Sequence, residues 1–589
     1  MSQPLPASEA VPLPLSPRPL RGGVWLTLLL AAVLFAAVAP TLPLLGFISG
    51  SENLVVATVL EVERGKSGLL LPTLFGDLRV RKPPLTTWFA AAFVDGRLVQ
   101  NLAAEPLGDE ARWQRLAWQF RWPALVLGCL ALLATYKLGQ VLHDGRLGLV
   151  AAAVAGSSLF FLEEFRLNTT DVQLAFWVLL TNLLLAIAVV QKRPWAVPAA
   201  GLTLGLAFLA KGPVALVQTL VPFAVWGLWL LMRRRELTPS GDVPRVPAAR
   251  WFVVGLLAVV LFAAVALPWF VYVYLKVPGV WQVWFTEVNR QGATGYDPDN
   301  PLKYLGFVLM LFPWSVFLVV GLVLTLRDVA KRSRNDVVLA GTLLFWPVVV
   351  MVLFPDRKTR YLLPMLFPAA VVTAYGVLAH LQAWRDNPRR LPPADRVTLG
   401  LHFGLLGVVA VGLPAAGTLG AFGLVTEAGG PWFEPQVGVP LALAGGVLVL
   451  LSAAVHAWWR AGLVLGTFVT MLVLNAVVVV GFGRSEDGRP ELRPLARAVV
   501  NAYPDATLFH PSAVGKRAPP DLGIYAGRPV YTPDNAADIS ITPGPAVLFL
   551  SHKPNETRPE PPAGWTFFAT DRRGPTEWNA YVRPMATPE

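Results

Sequence analysis

Ser51 to Trp88 reads SENLVVATVLEVERGKSGLLLPTLFGDLRVRKPPLTTW and directly follows the first apolar run of the chain. Glu52 opens the segment ENLVVATVLEVERGK, in which Leu54, Val55, Thr58, Glu61 and Val62 predict an amphipathic helix lying along an interface. Lys82 stands immediately before Pro83-Pro84. Proline restricts the residue before it to extended backbone, so this amine is aimed rather than free. Ionisable groups beside hydrocarbon are costly and usually handle a charged ligand. A carboxylate and an ammonium about thirty residues apart in this setting suggest chemistry on a phosphorylated lipid. Each residue also has a plainer reading. Glu52 would complement a helix dipole for about 0.3–1 kcal/mol, and Lys82 would snorkel from an interface.

Composition sets the class. Of 589 residues, 54% are hydrophobic and 15% charged, with a mean hydropathy of +0.54, which fits no ordinary soluble domain. The net charge of +12 raises the question of nucleic acid. The basic residues lie between apolar spans rather than on one soluble face, so membrane orientation and lipid headgroups account for them better. A single cysteine, Cys129, excludes an intramolecular disulfide. The opening MSQPLPASEAVPLPLSPRPLRGG reads as a Pro-rich tail, and the apolar run after it is too long for a signal-peptide core.

About thirteen membrane spans are expected, centred near Leu30, Leu130, Ala153, Leu180, Leu204, Val221, Val260, Leu318, Val348, Val372, Val409, Leu448 and Leu472. With a cytoplasmic N-terminus, Lys192-Arg193, Arg233 to Arg235, Arg327 to Arg334, Arg385, Arg389, Arg390 and Arg396 fall on one side, the positive-inside pattern. The same threading gathers Glu52, Lys82, Glu163, Glu164, Asp171, Lys211, Glu287, Arg290 and Arg360 on the other side, with the C-terminal tail. From about Gly488 the text turns soluble: a helix-like ELRPLARAVVNAY precedes ATLFH, PVYT and AVLFLS, which are separated by turn residues. The expected division is a cytoplasmic tail over 1–23, a membrane domain over 24–484 with an interfacial loop 48–117, and an extracytoplasmic α/β domain over 485–589.

Further charges sit where apolar text should be. Asp171 ends FLEEFRLNTTD and opens the next span, where it caps the helix with Thr169 and Thr170 or faces a cavity. Lys211 in FLAKGPVAL is apolar on both sides, and such a charge usually has a partner or ligand. Arg357, Lys358 and Arg360, before Tyr361, break the positive-inside rule and suit an anion such as phosphate, with Asp356 as the alternative counter-charge. The loop VPGVWQVWFTEVNRQGATGYDPDNPLKYLGF sets Trp281, Trp284 and Phe285 beside Glu287, Asn289 and Arg290. Those aromatics are interface anchors or, with the polar residues, a sugar-binding surface. No zinc-type His/Cys cluster, P-loop or G-x-S-x-G occurs, and DPDN is a turn, not a complete calcium loop.

Taken in order, these segments resemble the bacterial polyprenyl-phosphate sugar transferases typified by the lipid A aminoarabinose transferase and, more distantly, the protein O-mannosyltransferases. That family's first loop begins with an acidic pair and continues like GDWLVPxLNGxxYxxKPPLxYW. Here Ser67-Gly68-Leu69-Leu70-Leu71-Pro72 and Lys82-Pro83-Pro84-Leu85-Thr86-Thr87-Trp88 stand in those places. Asp171-Val172-Gln173-Leu174-Ala175-Phe176, GLAFLAKGP around Lys211, the PGVW…NRQ loop, FPDRKTRYLLPMLFPA and LGIYAGRPV near Tyr525 also match. The resemblance covers most of the chain. It implies a mainly α, polytopic GT-C glycosyltransferase fold with a small C-terminal α/β extracytoplasmic domain, in a bacterial inner membrane. The implied reaction moves a sugar from an undecaprenyl-phosphate-type donor to lipid A, another glycolipid, a polysaccharide or a protein. In it Glu52 or Asp171 would be the catalytic carboxylate. Lys82, Lys211, Arg357, Lys358, Arg360 and Tyr361 would hold the donor phosphate, and Glu287, Asn289 and Arg290 the sugar or acceptor.

The chain departs from the family at three places. Ser51 replaces the first member of the acidic pair, Arg81 replaces a Glu before the KP motif, and Val288 stands near an expected His. No cofactor is assigned; a divalent metal stays an open alternative, disfavoured by the loss of those positions. A polyprenyl-lipid transporter or flippase is the rival class, but transporters often show repeated halves and this chain has no internal repeat. A lipid-phosphate-binding homologue with weakened catalysis is the third reading, kept open by Ser51.

Overall fold

The computed structural model describes residues 20–47, 49–104, 110–232, 247–288, 300–330, 337–354, 356–386, 391–419, 435–459, 461–484, 492–511, 520–531, 544–552, 556–573 and 576–583. Among these, nine helices are long and apolar enough to cross a membrane: Gly23–Leu44, Glu110–Leu142, Thr170–Val190, Val214–Met232, Ala248–Lys276, Thr359–Arg385, Pro393–Thr418, Pro435–Trp458 and Gly462–Gly481. The pair Pro301–Met310 and Ser315–Ala330, bent by 107°, makes a tenth span if taken as one. Gly145–Gly156, Ala196–Lys211 and Val337–Val352 are shorter apolar helices, below the roughly 20 residues that a span needs on its own. All thirteen expected centres lie inside helices of this set. The excess over ten is therefore a matter of helix length, not of misplaced apolar runs.

Close helix crossings rest on glycine. A Cβ on Gly201 would run into the backbone of Ala258, and one on Gly321 into that of Val372. Without a hydrophobic drive inside lipid, such small-residue contacts let van der Waals packing bind helices. Lys211-Gly212-Pro213 separates two helices for a local reason. Gly212 has a φ of 78°, the left-handed region that favours glycine, and proline cannot continue the preceding helix. Lys211 is thereby left at a helix C-terminus facing its neighbours.

The interfacial loop forms helices Gly50–Glu63, Leu85–Ala91 and Gly96–Ala104 and a two-residue hairpin pairing Thr73–Leu74 with Asp77–Leu78. The expected helix at Glu52 is present, but it is no half-exposed interfacial helix. Glu52, Asn53 and Val55 to Glu61 are all buried. The C-terminal unit covers it: the Tyr525 hydroxyl accepts from Phe47 N at 2.9 Å, and its ring meets Trp113 edge-on. That unit is a five-stranded sheet ordered 530–531, 507–509, 546–552, 576–583, 566–573, the first three strands parallel and the last two joined antiparallel. Its inner side chains, including Leu508, Val547 and Phe549, form one continuous core with Val55, Val56, Leu60, Leu116 and Phe120.

Candidate functional site

The helix Thr170–Val190 is capped by Thr169, whose side chain accepts from Val172 N at 3.3 Å. Asp171 is thus released from capping and turns its carboxylate inward, only 2% exposed. Lys211 Nζ bonds directly to Asp171 Oδ1. Arg360 Nε lies 3.6 Å from Asp171 Oδ2, an ion pair beyond hydrogen-bond length. The Lys211 ammonium also rests 3.9 Å from the centre of the Tyr361 ring, a cation–π contact. Tyr361 in turn donates to Asp356 Oδ2 at 2.7 Å. Residues far apart in sequence thus converge on one carboxylate.

Beside this cluster lies a cavity of about 180 Å³ lined by Lys82, Lys211, Glu287, Phe354, Asp356 and Tyr361 among others. Lys82 Nζ is 2.6 Å from Glu287 Oε1. The loop carrying Lys82 is pinned from two sides: Trp269 Nε1 donates to Leu70 O at 2.9 Å and Trp284 Nε1 to Val80 O at 2.8 Å. Trp284 is therefore a structural clamp, while Trp281 and Phe285 stay exposed. Arg357 points elsewhere, its Nε and Nη2 donating to Val352 O at 3.1 and 2.9 Å. Lys358 pairs with Asp356 at 3.8 Å, and neither Arg357 nor Lys358 lines the cavity. Asn289 and Arg290 lie outside the described residues.

Glu52 stands apart from this cavity. It is fully buried, and both its oxygens receive Arg121, Oε1 from Nε at 2.9 Å and Oε2 from Nη2 at 2.7 Å. Asn168 N also approaches Oε1 at 3.3 Å. The rest of the Arg121 guanidinium binds the carbonyls of Leu42, Leu45 and Gly46. This bidentate pair, with its three carbonyl acceptors and Asn168, ties together the end of the first span, the helix Gly50–Glu63 and the segment before Thr170–Val190. Its carboxylate has no open side for a substrate proton. Ser51, the other half of the expected acidic pair, contacts Ser49 Oγ at 3.0 Å.

Three features were not anticipated from sequence: Arg121, the tie from Tyr361 to Asp356, and the raised pKa of Glu164. Burial, then the neighbouring Asp171 and Glu163 charges, push the Glu164 carboxyl up to about 8, against the opposing pull of Arg360 and Lys211. A signal for Arg121 existed, since a buried carboxylate requires a cation and Arg121 is a charge just inside the next apolar helix. The positions expected to carry a metal do not fit one. Arg81 and Val288 offer no ligand atoms of the needed kind, and no cluster of three or more His, Cys, Asp or Glu side chains placed for a metal occurs among the described residues.

The chain resembles known proteins in sequence and in fold. The family profile described as dolichyl-phosphate-mannose-protein mannosyltransferase matches residues 114–269. The undecaprenyl phosphate-alpha-4-amino-4-deoxy-L-arabinose arabinosyl transferase of Pseudomonas savastanoi pv. phaseolicola is 25% identical over 350 residues, 58% of this chain and 60% of that one. A Pseudomonas fluorescens protein of the same description is 28% identical over 259 residues, 42% of each chain. The matched segment thus spans about 60% or less of the length of these two curated relatives. In three dimensions, the crystal structure of ArnT from Cupriavidus metallidurans bound to undecaprenyl phosphate superposes with a TM-score of 0.66 at 17% identity, covering 95% of this chain and 99% of that one. Its apo form gives 0.67. The fold is accordingly that of this class of membrane enzymes.

Proposed function

We propose that this chain, which has the GT-C membrane glycosyltransferase fold and resembles the undecaprenyl-phosphate arabinosyl transferases, transfers a sugar from a polyprenyl-phosphate donor to an extracytoplasmic acceptor. The observation that carries the reading is Asp171, a buried carboxylate between Lys211 and Arg360, next to a cavity that Lys82 and Tyr361 also line. Asp171 takes the proton of an acceptor hydroxyl or phosphate, whose oxygen then attacks the anomeric carbon of the donor sugar. The bond from that carbon to the lipid phosphate breaks, and the electron pair leaves on the phosphate oxygen. Lys82, Lys211 and Arg360 are placed to meet that charge, an electrostatic contribution to catalysis. Glu52 is a scaffold residue in this reading, and Arg357 and Lys358 are not phosphate ligands.

The positive-inside pattern supports a cytoplasmic 1–23, a membrane unit over 24–484 and an extracytoplasmic 485–589, with the Asp171 cavity on the outer side. Acceptors of the proposed reaction are lipid A, another glycolipid, a polysaccharide or a protein. The test is sugar transfer by the purified chain in detergent, given polyprenyl-phosphate sugars and a panel of lipid and peptide acceptors and read by mass spectrometry. Asp171→Asn is expected to lower turnover by about 10²–10⁴-fold, the range for loss of a general base, while donor binding persists. Undiminished transfer by that variant would remove Asp171 from the chemistry. Saturable donor binding with no transfer across a complete panel would favour a transport or binding role.

A further inference from the structure

The helix Leu366–Asp386 begins just after Tyr361 and has 21 residues. At about 1.5 Å per residue it runs roughly 30 Å, the thickness of a hydrocarbon core. Its far end therefore reaches the membrane face opposite Asp171. There a cavity of about 1290 Å³ opens between the helices Gly23–Val38, Gly145–Gly156, Leu366–Asp386 and Gly462–Arg484. It exceeds the roughly 300–1,000 Å³ of small-molecule clefts. Exposed side chains such as Leu29, Val33 and Leu465 line it, so it faces acyl chains rather than water.

One end of this slot is charged. Arg146 and Arg385 line it beside Trp384, and neither arginine has an ion pair among the described residues. The acid in the lining, Asp144, caps the Gly145–Gly156 helix, its Oδ1 accepting from Arg146 N at 3.0 Å and Leu147 N at 2.8 Å. Guanidinium groups at the headgroup level of an apolar inter-helix pocket complement an anionic lipid, and a tryptophan beside them suits the same level.

We propose that this groove binds one anionic diacyl phospholipid from the leaflet opposite the Asp171 cavity. Arg146 and Arg385 hold its phosphate, and its acyl chains lie along Leu29, Val33 and Leu465. The site is separate from the proposed chemistry and does not depend on it.

Native mass spectrometry of the full chain, released from nanodiscs of equal phosphatidylglycerol and phosphatidylcholine, tests the assignment. One phosphatidylglycerol should be retained in preference. Arg146→Gln with Arg385→Gln should weaken that preference by about fivefold per arginine, whereas Arg146→Lys with Arg385→Lys should keep most of it. A phosphatidylglycerol carrying a headgroup-proximal photocrosslinker should label wild-type peptides around 143–146 and 381–385, a readout that needs no variant to fold. Equal retention of both lipids, undiminished preference in the double Gln variant, crosslinks confined to other segments, or displacement of the retained lipid by a polyprenyl phosphate would each overturn the proposal.

Discussion

Replacing Glu52 with Gln separates a scaffold role from a catalytic one. The substitution keeps the shape but offers Arg121 one amide oxygen and an NH2 group in place of two charged oxygens. Arg121 is 1% exposed and would keep that amide oxygen and its carbonyl acceptors at Leu42, Leu45 and Gly46 but lose the carboxylate's charge. Removing one partner of a buried ion pair costs about 3–5 kcal/mol, because the other charge is left uncompensated. Those three carbonyls place this site toward the lower end. Taking about 2 °C per kcal/mol, as for large domains, the melting temperature should fall by roughly 6 °C or more. The double variant Glu52→Gln/Arg121→Met removes the stranded charge and should lose less stability than the two single variants added together. Thermal unfolding of the purified protein in detergent, beside turnover measured well below the new melting point, supplies both readouts. A Glu52→Gln protein that melts within about 1 °C of wild type yet loses roughly a hundredfold or more in turnover would refute this reasoning and make Glu52 the base.

Lys82→Ala should raise the KM for the polyprenyl-phosphate donor by about tenfold or more, since a charged hydrogen bond is worth about 1.5–3 kcal/mol; an unchanged donor KM counts against it as a phosphate ligand. Glu164 gives a pH signature. Its folded carboxyl, raised to about 8, binds a proton that the unfolded chain has released, so this group favours the folded state below about pH 4.5 and loses that contribution as pH rises toward 8. Glu164→Gln should flatten the melting temperature against pH across that window and leave the variant relatively more stable at pH 8. An unaltered profile would show that Glu164 does not carry the slope.

The membrane architecture was legible because apolar runs of span length are written locally, one after another. Asp171, Lys211 and Arg360 were legible for the opposite reason, as charges in apolar surroundings whose cost implies a partner. What the sequence does not write is who meets whom. Lys211 and Asp171 turn out to be partners across 40 positions, while Arg357 and Lys358, equally conspicuous in the text, turn toward Val352 and Asp356. The surroundings of Glu52 were not legible, because a carboxylate at a helix start next to a span looks the same whether it faces a cavity or a buried arginine. Its burial comes from the C-terminal unit and the Glu110–Leu142 helix folding over it, contacts such as Phe47 with Tyr525 that link residues 478 positions apart. Local periodicity carries no information at that range. The sheet order, with its parallel pairs and antiparallel edge, was likewise beyond reach of alternation alone.

The cations around the cavity are all stored as pairs: Lys211 and Arg360 on Asp171, and Lys82 on Glu287. Storage of this kind follows from the expense of burying any of them alone, and it has a consequence for the proposed reaction. A sugar-linked lipid phosphate is a diester with one negative charge. The departing lipid phosphate is a monoester, carrying about −1.5 to −2 at neutral pH. In the same step Asp171 accepts the acceptor's proton and loses its own charge. Lys211 and Arg360 are thereby released from their carboxylate as the phosphate gains charge, so the positive field shifts to the leaving group without a side chain having to travel far. Lys82 differs, because Glu287 is not part of the proton transfer and must be displaced by the phosphate itself. On this argument Lys82 and Glu287 govern donor entry, whereas Asp171, Lys211 and Arg360 act as one unit in the bond-breaking step. Their single variants should then be strongly non-additive, with Asp171→Asn/Lys211→Ala little worse than Asp171→Asn alone.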